Sequence, residues 1–82
     1  MKKTEKLSRL KEGIKAYITE IRTKDAPMRR RLFDLGFMPG VAVECIMASP
    51  LGDPRAYFVG GSVIALRSDD AQNLITEYEV YK

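Results

Sequence analysis

The sequence predicts a mainly β domain: a small closed or nearly closed barrel of about five strands, with one helix over about 26–35 and a short helical turn over about 69–75. Three observations lead there. Segments with a two-residue apolar period recur at short intervals, notably Ile14 to Ile21 and Val41 to Ala48. Glycine and proline fall between these segments rather than inside them, as turns require. With 82 residues there is room for one small core and one domain, spanning 1–82. Barrel closure would also remove the sheet edges that otherwise invite pairing with other chains.

The elements follow in order. Lys2 to Lys11 holds five basic residues around Leu7 and Leu10, so residues 1–6 read as a frayed basic start and the two leucines as a turn pressed onto the barrel. From Ile14 to Ile21, Tyr17, Thr19 and Ile21 alternate with Ala16, Ile18 and Glu20, a first strand. Asp25 and Pro27 mark a helix start, since an aspartate can satisfy free amides and proline suits the first turn. Met28, Leu32 and Leu35 then make one apolar stripe, ended by Gly36 in the position of a left-handed cap. Pro39-Gly40 favours a type II turn into a central strand, in which Val41, Val43, Cys45 and Met47 share a face. Ser49 to Arg55, with Pro50, Gly52, Asp53 and Pro54, cannot continue pairing and forms an exposed loop. Ala56 to Val59 and Ser62 to Leu66 flank the hairpin turn Gly60-Gly61. Ser68-Asp69-Asp70 opens a short helix reaching Leu74 or Ile75, and Thr76 to Tyr81 is the last strand.

Composition excludes several functions. Fourteen basic against eleven acidic residues give a formal charge of +3, well short of a typical nucleic-acid binder. The chain has no histidine and a single cysteine, Cys45, so there is no Cys/His set for zinc or haem and no internal disulfide. Cys45 has no base to activate it and reads as a buried hydrophobe. There is no phosphate-cradling G-x-x-x-x-G-K-[ST] loop, no signal-peptide apolar run and no membrane-length apolar stretch. The expectation is a cytoplasmic protein that is not an enzyme, carries no cofactor or metal, and works by binding.

Three blocks in order and spacing make a sharper point: Arg31-Leu32-Phe33-Asp34-Leu35-Gly36-Phe37-Met38-Pro39-Gly40, then Ser49-Pro50-Leu51-Gly52-Asp53-Pro54, then Ile64-Ala65-Leu66-Arg67 leading to Asp70-Ala71-Gln72-Asn73-Leu74-Ile75. Together they resemble the ferrous iron transport protein A (FeoA) family over nearly the whole chain. The resemblance implies an SH3-like barrel in the cytosol that assists the membrane transporter FeoB, whose cytosolic part carries a GTPase domain. Contact with a membrane would then pass only through that partner, with weak self-association allowed. The chain departs from the family pattern at Gly60-Gly61-Ser62, where relatives commonly have one glycine flanked by a bulkier or basic residue.

The partner-binding candidates are Ser49, Pro50, Leu51, Gly52, Asp53, Pro54 and Arg55, with Phe37, Met38 and Pro39. A loop stiffened by two prolines loses less entropy when gripped. The plainer alternative is that these residues only make the turn. Arg29, Arg30 and Arg31 fan round the helix, which favours a solvated face with ion pairs such as Arg30 with Asp34 over a nucleic-acid patch. Asp69-Asp70 is explained by the helix dipole before a metal need be invoked. Two other readings stay open: an intracellular sensor that binds a metal ion or small ligand, and a nucleic-acid-binding small barrel.

Overall fold

The computed structural model describes residues 1–81. Six strands, β1 (Lys2–Lys6), β2 (Lys15–Ile21), β3 (Ala42–Ala48), β4 (Arg55–Val59), β5 (Ser62–Leu66) and β6 (Leu74–Glu79), form one antiparallel sheet in the order β1-β6-β2-β3-β4-β5. Helices α1 (Ala26–Asp34) and α2 (Ser68–Ala71) and a 3₁₀ turn (Leu7–Arg9) complete the chain. The core joins both ends of the sequence, with Leu7, Ile18, Leu32, Val43, Tyr57 and Leu74 all buried.

The mainly β architecture agrees with expectation, and the differences have clear causes. Residues 1–6 are not frayed. Lys2 to Lys6 pair with Glu79 to Ile75 of β6, and the Thr76 hydroxyl donates to the Glu5 carbonyl at 2.8 Å. This strand escaped the sequence because its charged, non-alternating run carries no apolar period. Leu7 and Leu10 are 0% and 1% exposed, as their spacing suggested.

Hydrogen-bonded pairing does not run the full circle: among the described residues β1 and β5 each have one strand neighbour. The 3₁₀ turn is tied to β4 instead. The Arg55 guanidinium donates to the carbonyls of Leu7, Ser8 and Leu10, and the Tyr57 hydroxyl donates to Leu7 at 3.2 Å. Nothing in the composition marked Arg55 for this task.

At α1 the start, the stop and Leu32 follow the local signals, but Leu35, expected on the same apolar stripe, is 38% exposed. Asp25 accepts from the Met28 amide at 3.1 Å, Pro27 lies in the first turn, and Leu32 is fully buried. Gly36 adopts φ +103°, which a side chain would resist. That lets the Phe37 amide reach the Leu32 carbonyl and the Gly36 amide the Phe33 carbonyl, both at 3.0 Å, the paired bonds of a Schellman cap. The reversal drives Phe37 into the core, where its ring meets Tyr57 edge-on at 6.3 Å.

α2 is shorter than expected. It stops at Ala71, and Leu74 and Ile75 are buried as the first residues of β6 rather than as a helical stripe. Its first free amide, on Ser68, is capped from another part of the chain by Asp53 at 2.9 Å. Gly60 and Gly61 take φ +58° and +80°, the pair of positive angles a two-residue hairpin turn needs, so the second glycine is required by the turn itself.

Candidate functional site

The predicted site residues do not form one surface. Met38 and Pro39 lead into β3, whereas Ser49 to Pro54 leave its far end, with seven strand residues between them. At about 3.3 Å per residue that is roughly 20 Å of strand. Phe37 is 0% exposed and serves the core, so it offers nothing to a partner. Met38 is half-buried and Pro39 exposed, in a turn closed by the Val41 amide on the Met38 carbonyl at 3.1 Å.

The loop also divides internally. The Ser49 amide donates to the Pro54 carbonyl at 3.2 Å and the Gly52 amide to the Ser49 carbonyl at 2.8 Å, closing the loop on itself. Asp53 is committed to Ser68, and Arg55 lies in β4, committed to the 3₁₀ turn. Arg55 also stands 5.8 Å from the Tyr57 ring centre, in cation–π range. These two charges hold the fold together. What remains for a partner is the tip: Pro50, Gly52 and Pro54 exposed, and Leu51 93% exposed.

Two residues absent from the sequence-based set extend that tip. A bulge between Cys45 and Met47 shifts the register of β3 against β4, so that Ile46 and Met47 are 42% and 60% exposed. Alternation had put Met47 on the buried face with Val43 and Cys45. A run of four apolar residues, Cys45-Ile46-Met47-Ala48, has no polar member to betray the slip. Ile46, Met47 and Leu51 thus belong to the same end of the β3–β4 hairpin. Leu51 on this braced loop and Ile46 and Met47 on β3 are thus three large exposed apolar side chains at one end of the hairpin.

Elsewhere the expected chemistry is otherwise engaged. Arg30 pairs with Asp34 at 3.2 Å as anticipated, Arg31 with Asp70 at 2.6 Å, and Arg29 donates to the Thr23 carbonyl at 2.6 Å. The Arg31–Asp70 pair ties α1 to α2 and gives Asp70 a partner beyond the helix dipole. Cys45 is buried, and desolvation pushes its thiol further from ionisation. Burial likewise pushes the Tyr57 phenol up to about 12. Among the described residues no three Cys, Asp or Glu side chains are grouped to hold a metal ion. No helix among them is long and apolar enough to cross a membrane. A groove of about 420 Å³ lies over β2 and β6, lined by Lys2, Lys15, Tyr17, Glu77, Glu79 and Tyr81, none of them in the predicted set.

The family model of the FeoA domain matches residues 5–78. A Porphyromonas gingivalis protein described as an Fe(2+) transport protein A/Fe(2+) transporter FeoB fusion protein is 29% identical over 72 residues, which is 88% of this chain and 8% of that protein. The chain therefore spans less than a tenth of this curated relative. Among solved structures, iron(II) transport protein A of Clostridium thermocellum superposes with a TM-score of 0.84 at 34% identity, over 90% of this chain and 45% of that one. Stenotrophomonas maltophilia FeoA, solved in complex with zinc and described as an SH3 domain protein, superposes with a TM-score of 0.75 at 29% identity, over 85% and 86% of the two chains.

Proposed function

We propose, from the premise that this chain belongs to the FeoA domain family, that it is a non-catalytic cytosolic accessory of ferrous iron uptake. It binds and modulates the FeoB transporter through that transporter's cytosolic, GTPase-containing part. The observation that carries this reading is the P. gingivalis fusion, in which a region similar to this chain shares a polypeptide with FeoB. Covalent linkage supplies a high effective concentration of the two parts for each other, as suits partners that act together. The S. maltophilia relative, put forward as a ferrous iron transport activating factor, supports an accessory role of the same kind.

The docking contact in this reading is Leu51 with Ile46 and Met47, flanked by Pro50, Gly52 and Pro54. Ser49, Asp53 and Arg55 shape the loop rather than touch the partner. Met38 and Pro39, at the other end of β3, lie outside it.

The test is binding of the full chain to its own organism's FeoB in lipid nanodiscs, with GDP and with a non-hydrolysable GTP analogue. Saturable binding in at least one nucleotide state is expected, weakened tenfold or more by Leu51→Asp. No binding in either state would overturn the proposed partner, and full affinity in the folded variant would overturn the site. Because the S. maltophilia structure holds zinc, a calorimetric titration with ferrous iron under reducing conditions checks the sensor reading. Saturable heat would favour direct metal sensing over docking alone.

A further inference from the structure

The end of the sheet at β5 is built unlike the end at β1. β5 is Ser62-Val63-Ile64-Ala65-Leu66, without a charge, a proline or a bulge, the devices that normally blunt an edge. Its hairpin register settles which backbone groups are free. The two-residue Gly60-Gly61 turn makes Val59↔Ser62 a hydrogen-bonded pair, so Tyr57↔Ile64 and Arg55↔Leu66 are hydrogen-bonded too. The amides and carbonyls of Val63 and Ala65 therefore point away from β4. Among the described residues no strand pairs with that side.

We infer that β5 is a self-association edge, taking the β5 strand of a second copy in antiparallel register centred on Ile64. In that register Ile64 faces Ile64, Val63 faces Ala65 of the other copy, and Ser62 faces Leu66. Val63 and Ala65 of each copy exchange the four outward hydrogen bonds, and one continuous sheet of twelve strands results. A second copy fits because the strand is self-complementary about its centre: every facing pair is free of charge, as an isologous two-fold contact requires. The same operation at β1 would set Lys2 against Lys6 twice over. Val63, 62% exposed, and its cross-strand neighbour Phe58, 46% exposed, lie on one face of the joined sheet and gain cover.

Five residues a side fall far short of the roughly 800 Å² per partner of a stable dimer, so the association is weak and shows only at high protein concentration. This association involves neither Leu51 nor FeoB, and stands or falls apart from the proposed transporter contact.

The test follows amide shifts and translational diffusion by NMR from about 20 µM to about 1 mM protein. Diffusion should slow with concentration, with shifts concentrated in residues 62–66. Ala65→Lys, on the outward face, should weaken association at least tenfold while leaving the fold's spectrum intact, and Val63→Glu should do the same. Mixing the A65K and V63E chains sets the two new charges opposite each other and should restore pairing; the control Lys3→Glu should change nothing. A monomer throughout the range, shifts centred outside β5, or association unaffected by A65K would overturn the inference. An extended peptide that binds β5 of a chain that stays monomeric would do so too, since it would make the edge a site for other partners.

Discussion

The two ends of the sheet meet water with opposite chemistries. β1 carries three lysines in five residues, backed by the Lys2–Glu77 pair at 3.3 Å, and β5 carries none. Lysine at an edge is cheap in stability, because its charge stays solvated, and it penalises any approaching strand that would desolvate it. The difference teaches that charge at β1 protects the edge more than it holds the strand down. What holds β1 is the segment that follows: Leu7 and Leu10 in the core, and the Arg55 and Tyr57 side chains on their carbonyls. β5 needs no such anchor, because the Gly60-Gly61 turn ties it directly to β4.

Four experiments break or sharpen that contrast. The largest effect is expected from Leu7→Ala, which hollows the core under the 3₁₀ turn and should cost about 3 kcal/mol in urea denaturation, with hydrogen exchange in residues 2–6 accelerating before that in 62–66. Next comes alkaline pH. Tyr57 has a folded pKa near 12 against an ordinary value of 10.0, so the stability of its neutral form is complete below pH 10 and is lost as pH rises towards 12. By linkage the loss is of order 2 kcal/mol, and Tyr57→Phe should flatten that part of the stability profile. Arg55→Met releases three carbonyls and should cost about 1–2 kcal/mol, again loosening β1 and the turn while β5 amides stay protected in a hydrogen-exchange experiment. The smallest effect is expected from Lys6→Val. Stability should stay within about 0.5 kcal/mol, but light scattering should report more self-association, because Lys2 no longer meets Lys6 of an approaching copy.

Much of the fold was legible in the chain, and for local reasons. The α1 start at Asp25-Pro27, its stop at Gly36, the Gly60-Gly61 hairpin and the burial of Cys45 each depend on residues within a few positions of one another. The candidate site was legible in part: Leu51 at the loop tip was readable because proline and glycine on either side leave it nowhere to pair. Its companions were not. Alternation places Met47 on the wrong face because a bulge depends on the partner strand, and the turn residues around Phe37 suggest exposure, although the Schellman reversal carries it into the core.

Turn chemistry, capping signals and apolar period act over a handful of residues, so they decide helix ends, hairpins and the mainly β class from the chain alone. Which charges brace the fold is decided across the fold. Asp53 caps α2 across 15 positions, Arg55 closes on Ser8 across 47, and Arg31 pairs with Asp70 across 39. Pairing at those separations requires the whole sheet to be in place, since only the folded backbone brings such groups within hydrogen-bond reach. Until then Asp53 and Arg55 are indistinguishable from the exposed polar residues of any loop.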